Sequence, residues 1–254
     1  MSVAFNEQGT MLCALNGGQV NGVHCYGVDQ KNGLQALNGT LRSLGLNQTT
    51  PASGPAGSTS HIIFSEDGKQ LIASIKGTPP QPGFLAVWDV NEDNTLSPDF
   101  KQIAPGKDAG VGFDIFDMSG GAQNSSKSSV VPIEGQGATC WSSFSNKTGN
   151  FYLTDIKTST VTEVNVDDNL KGTIVKQYPQ ANNSATIDND IVTIGGNDFL
   201  IVLAAGASTI DVLSLEAPGQ AQNIQTLDIA GPAKSAGLII NPNNLQGMTA
   251  FVNN

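Results

Sequence analysis

Apolar and polar residues follow one arrangement several times along this chain. Residues 2–28 read SVAFNEQGTMLCALNGG and then GVHCYGV. Residues 60–90 read SHIIFSEDGKQLIASIKG and then GFLAVWDV. Residues 140–166 read CWSSFSNKTGNFYLTDIKTSTVTEVNV. Each copy is an apolar run, a polar turn containing Gly, a second apolar run, another turn, and a third run that alternates. Short alternating runs bounded by turn residues predict antiparallel strands. Their repetition predicts an all-β protein, a β-propeller of four-stranded antiparallel blades.

Third strands give the cleanest count. They are marked by Tyr26 in VHCYGV, Trp88 in LAVWDV, Phe116 in GFDIFD, Val164 in VTEVNV and Leu213 in IDVLSL, at intervals of 62, 28, 48 and 49 residues. A blade of about 40 to 50 residues fits the intervals of 48 and 49, the interval of 62 leaves room for one with a longer loop, and the interval of 28 is too short. Between Trp88 and Phe116 there is no room for a fourth strand, a crossover and a full first hairpin, so a hairpin is expected to be missing near 106–108. Residues 2–16 read as a first and second strand without an earlier partner blade, and 237–252 as a lone terminal hairpin. The count is about five blades in a single domain spanning 1–254. A complete five-bladed ring and a piece of a larger one both remain open. The unfinished ends favour the piece, because closed propellers let one terminus complete the other's blade.

Charge narrows the partners. The net charge is −10, from 12 basic and 22 acidic residues, and such a surface repels phosphate backbones and anionic lipid. Nucleic-acid and membrane partners are not expected, and no apolar run reaches the length of a membrane span. Acidity also simply serves solubility. Arg42 is the sole arginine, so a multiply anionic ligand would depend on it and on lysines.

Five Asn-x-Ser/Thr triplets, at Asn38, Asn47, Asn124, Asn146 and Asn182, are candidate glycosylation sites and point to an extracellular protein. No signal peptide opens the chain, so the expectation is that it was lost with an N-terminal stretch. Cys13 and Cys25 fall on the second and third strands of one blade, with the GGQVNG turn midway. They are read either as a disulfide across the ladder or as two small buried hydrophobes. Cys140 has no adjacent His and reads as inert.

The stretch SHIIFSEDGKQLIAS resembles the lactonase-family propeller pattern, in which a His precedes an apolar triplet and a Gly-containing turn, within WD40- or YVTN-like repeats. That family holds 6-phosphogluconolactonases and 3-carboxy-cis,cis-muconate lactonizing enzymes. The runs NGTLRSLGLNQTTPASGPAGSTSH, GTPPQPGFLAVWDV and GQGATCWSSFSNKTGNFYLTDI look closest to secreted fungal 3-carboxymuconate cyclase-like proteins. The resemblance covers essentially the whole chain and implies a seven-bladed family. It also implies a cycloisomerase (an intramolecular lyase) or a lactone hydrolase, acting on a small lactone or unsaturated carboxylic acid in the central channel. No cofactor or metal is implied, and a monomer is expected. By position in the repeat His61 matches the family's catalytic His. The family's partner arginine and glutamate fall in the clipped region and have no matching residue.

Each candidate has a plainer reading beside it. His61 could be structural, bonding a neighbouring blade. Trp141, which stands in its copy where His61 stands in another, could line the channel and stack on a ligand, or simply pack. Arg42 is the candidate anion contact. His24 sits on a third strand and reads as a surface residue. Glu66 and Asp67 suit a turn better than acid–base work. Asp188, Asn189 and Asp190 offer oxygens to a cation, but without EF-hand spacing. GGQVNG and MSGGAQNSSKSS lack the phosphate-loop pattern. Against the enzyme reading stands a non-catalytic secreted propeller that binds a glycan, a small molecule or a protein.

Overall fold

The structure, a computed structural model, describes residues 2–52, 56–78, 80–104, 112–118, 128–250 and 252. The chain divides into two compact units, residues 1–110 with 116–130, and residues 111–115 with 131–254.

The first unit holds two blade sheets. One runs β1 (Ser2–Phe5), β2 (Met11–Asn16), β3 (Gly22–Asp29), β4 (Gly33–Ala36), with β5 (Arg42–Ser43) also pairing β3. The other runs β6 (Thr59–Phe64), β7 (Gln70–Ile75), β8 (Phe84–Asp89), β9 (Lys101–Ile103). Strand β2 alternates buried and half-buried residues, as a strand with one core-facing side must. Met11, Cys13 and Leu15 thereby meet Leu71, Ala73 and Trp88 in one apolar cluster. Trp88 is completely buried there.

A two-stranded sheet follows, β10 (Gly112–Ile115) with β11 (Ser129–Pro132). The second unit then continues with two four-stranded sheets. These are β12 (Thr139–Ser145), β13 (Asn150–Asp155), β14 (Thr160–Val166), β15 (Gly172–Pro179), and β16 (Thr186–Ile194), β17 (Asn197–Ala204), β18 (Thr209–Leu215), β19 (Gln222–Asp228). Tyr152, Val161 and Tyr178 of one sheet pack on Leu200, Val202, Leu213 and Leu215 of the other. The first-hairpin turns of three blades share a cause: Gly9, Gly68 and Gly149 have φ of 67°, 69° and 69°, a region that costs other residues a Cβ clash.

The expected count of about five blades is corrected to four blade-sized sheets among the described residues. Phe116 does not mark a third strand. It follows β10 and packs beside Met118 on Ile72, Val87 and Ile103. Residues 237–252 form no terminal hairpin either, since none of the described ones is in a strand. A short helix, α1 (Ala230–Ser235), precedes them, and a 3₁₀ turn covers Pro242–Asn244. Pro242 lacks an amide hydrogen, and the Asn241 side chain accepts from the Asn243 amide, which starts a turn rather than a strand. The hairpin expected to be missing near 106–108 lies outside the described residues.

Phe113 of β10 packs with Ile133, Leu153, Val164 and Ile174. The contact with β15 is so close that a Cβ on Gly172 would come within 2.6 Å of the Val131 side chain. On β12 and β13, Phe144 and Phe151 face each other across the ladder with ring centroids 4.8 Å apart, and both stay open to solvent.

Candidate functional site

A backbone irregularity places the candidate residues. In β6 the register slips between Thr59 and Ile62, so that Ser60 and His61 together stand opposite Ser74. In β12 it slips between Thr139 and Ser142, so that Cys140 and Trp141 stand opposite Thr154. These are β-bulges, which tilt a side chain out of the pleat and break the amide ladder locally. The displaced amide finds a substitute acceptor in both. The His61 N–H donates to Ser74 Oγ at 3.1 Å, and the Trp141 N–H to Thr154 Oγ1 at 3.4 Å. His61 and Trp141 therefore occupy the same socket in two blades, one in each unit.

His61 is exposed, and its Nδ1 lies 3.2 Å from the Ser2 hydroxyl on β1. The Ile62 amide donates to the same Ser2 oxygen at 3.3 Å. Surrounding protein replaces part of the water an imidazolium would need, which holds His61 below its ordinary value of 6.5. At neutral pH the ring is therefore neutral, the form that can take a proton. Nothing in the sequence pattern singled out Ser2 or Ser74, because both are read as ordinary strand polar residues until the sheets are assembled.

Trp141 is half-buried, and its carbonyl accepts from Asn189 Nδ2 at 3.5 Å. Arg42 commits three of its five N–H donors to structure. Its Nε donates to the Ser97 carbonyl at 2.7 Å, Nη1 to the Leu41 carbonyl at 2.9 Å, and Nη2 to the Leu96 carbonyl at 2.5 Å. It ties β5 to the segment after β8, and the structure does not bring it into hydrogen bonding with His61.

Cys13 and Cys25 are joined as a disulfide, with Cα atoms 4.0 Å apart. They pair directly across β2 and β3. The Cys25 amide turns the other way, donating to Thr40 Oγ1, and its carbonyl accepts from Leu37. The two cysteines thus form a non-hydrogen-bonded pair, where side chains approach most closely. Cys140 forms no disulfide and packs half-buried against Ile187, Leu203 and Ala205.

The remaining candidates settle into local roles. His24 Nδ1 lies 3.2 Å from the Tyr26 hydroxyl. Asp67 accepts from Ser65 Oγ at 2.7 Å and the Lys69 amide at 3.1 Å, fixing its turn. Asn38, Asn47, Asn146 and Asn182 are all exposed. Asn124 lies outside the described residues. No group of three or more His, Cys, Asp or Glu that could hold a metal occurs among the described residues. Among them, too, no helix is long and apolar enough to cross a membrane.

Glu163, by contrast, was not singled out by sequence and is completely buried. Its Oε1 accepts from Asn150 Nδ2 at 2.6 Å and the Tyr152 hydroxyl at 3.1 Å. Its Oε2 accepts from the Tyr178 hydroxyl at 2.5 Å and the Gly219 amide at 3.0 Å. Burial, with the carboxylate beside them, pushes both tyrosines above their ordinary value. Closed off and saturated with donors, this cluster joins two blades and is not a reaction site.

No protein-family profile matches the chain, and no curated protein sequence is similar to it. Among solved structures, the periplasmic gluconolactonase of Pseudomonas aeruginosa superposes with a TM-score of 0.63 at 14% identity, over 90% of this chain and 72% of that one. A Bacteroides fragilis structure described as a candidate 6-phosphogluconolactonase gives a TM-score of 0.45 at 15% identity, over 89% of this chain and 56% of that one. The first likeness shows a shared β-propeller fold. The second is too loose to carry a structural argument.

Proposed function

We propose that the chain is a lactonase-type propeller protein that opens a small, neutral cyclic ester, with His61 as general base. One observation carries the reading: a bulge on the first strand of a blade presents a neutral imidazole, anchored by Ser2, on a fold shared with a gluconolactonase. The imidazole would take a proton from water as the water attacks the ester carbonyl. The ring oxygen would then leave as an alcohol on receiving that proton.

The substrate is assigned as neutral because of Arg42. A tricarboxylate such as 3-carboxymuconate, or a phosphorylated lactone, needs cations to offset the loss of its hydration. The chain's one guanidinium is already bound to three backbone carbonyls. The finer cyclase assignment is accordingly set below lactone hydrolysis. Export from the cytoplasm, as for the periplasmic protein sharing the fold, fits the disulfide and the exposed asparagines of the glycosylation triplets.

The test is hydrolysis of unsubstituted sugar lactones followed by acid release, for the full chain and for His61→Ala. Turnover lost in the variant supports the reading. Turnover retained in the variant, or none with any lactone, overturns it.

A further inference from the structure

Strand β16 pairs with β17 on one side only. Its other edge is covered in an unusual way. Asp188 Oδ1 accepts from the Asn189 amide on its own strand at 2.8 Å, and its Oδ2 accepts from the Met248 amide at 2.6 Å. Asp190 repeats this two residues on, with Ile191 at 2.9 Å and Ala250 at 3.0 Å. Both long-range bonds span the same separation of 60 residues. Residues 248–250 therefore run parallel to β16 and in step with it.

Each carboxylate bridges an amide of β16 to an amide of the incoming segment. It takes the place that a backbone carbonyl would hold in an ordinary ladder. Burial alternates along the segment, with Met248 and Ala250 half-buried and Thr249 exposed, as in a strand. Leu245 and Met248 pack with Ile187, Leu203 and Ala205 beneath.

This edge differs from an ordinary sheet edge in what it recognises. A bare edge offers alternating donors and acceptors and pairs with almost any strand. Here two acceptor-only groups present four oxygens, two turned to β16 and two turned outward. They read N–H groups at two alternate positions and ask nothing of the carbonyls. An ionised carboxylate accepts at both oxygens and donates at neither. The side chains beneath add an apolar requirement.

We propose that the Asp188–Asp190 edge is a docking site for an extended peptide, filled here by the chain's own residues 245–250. A peptide of the same chemistry takes the site once that segment is released. That chemistry is two free amides at alternate positions, with an apolar side chain at the first and another three residues earlier. The mode is strand addition read through side chains.

The test uses the full-length chain and a fluorescent peptide of sequence LQGMTAFV, residues 245–252. Met248→Pro with Ala250→Pro removes both docking amides and releases the segment. The released chain should bind the peptide at least tenfold more tightly than the intact chain. Binding should fall at least tenfold when the peptide itself carries proline at both positions, or when Asp188→Asn is added to the released chain. A released chain that binds no better than the intact one overturns the proposal, as does equal binding of the proline peptide. Hydrogen exchange gives a second measurement in a chain with its segment unaltered. In Asp188→Asn with Asp190→Asn the Met248 and Ala250 amides should exchange at least tenfold faster, with β17 and β18 unchanged. Unchanged exchange at those two amides also overturns it. Neither result depends on lactone hydrolysis.

Discussion

The Ser2 hydroxyl on β1 lies 3.2 Å from Nδ1 of His61 on β6, linking the first strands of two blades. His61, though exposed, should titrate below 6.5, since protein around the ring displaces part of the water that its charged form needs. The folded-state value is thus lower than the unfolded one. As pH falls below 6.5 the unfolded chain takes the proton first, so stability contributed by the neutral ring is present above 6.5 and is lost on acidification through the folded-state value. Imidazole resonances followed by NMR should give a midpoint under 6.5. His61→Gln should flatten this part of the stability–pH curve. A midpoint at or above 6.5 would contradict the assignment.

Reduction of Cys13–Cys25 removes a link across 12 residues. Loops of this size are worth about 2–4 kcal/mol. Cys13→Ser combined with Cys25→Ser should lower the urea midpoint of the first unit accordingly, and reductant should leave that variant unaffected.

Tyr178→Phe deletes one donor to the buried Glu163 carboxylate. A hydrogen bond to a charged group contributes about 1.5–3 kcal/mol, and the loss should show in urea unfolding. Glu163→Gln should be at least as harmful, because its amide nitrogen must face one of the donors. A loss under about 0.5 kcal/mol in both, within the range of surface substitutions, would mean the cluster does not join the blades.

Asp155 accepts from the amides of Gly137, Ala138, Lys157 and Thr158. Burial works against its charge, but these four donors outweigh burial and hold the carboxyl below its ordinary value of 3.8. The folded value is depressed, so this stability is complete above 3.8 and is lost as pH falls through the folded-state value. Asp155→Asn should lower stability at neutral pH and narrow its gap to the parent chain as the solution is taken below 3.8.

The blades were legible in the sequence because period-2 alternation and the φ > 0 demand of Gly9, Gly68 and Gly149 are written one residue at a time. The blade count was not. Phe116 sits in GFDIFD, an alternating run, yet only Gly112–Ile115 is in a strand, because alternation cannot reveal whether a partner strand exists. Residues 237–252 look like a hairpin for the same reason, while Pro242 and the Asn241 cap redirect them. At the candidate site His61 and Trp141 were found by aligning copies of the repeat. Ser2, Ser74 and Thr154 were invisible, since their roles arise only where two strands meet. Arg42 read as an anion contact because charge is visible in sequence and a set of backbone carbonyls is not.

The shared socket of His61 and Trp141 separates shape from chemistry. The slip in register is held by a hydroxyl on the neighbouring strand, Ser74 or Thr154, and not by the side chain it displays. A residue presented this way can be exchanged without renegotiating the sheet beneath it. These two blades then behave like mounts with a replaceable head, bearing an imidazole in one copy and an indole in the other. Duplication of the repeat multiplies mounts, and single substitutions decide which side chain each of them displays. Trp141→His would be the direct way to equip a second one, on a backbone already bent to receive it.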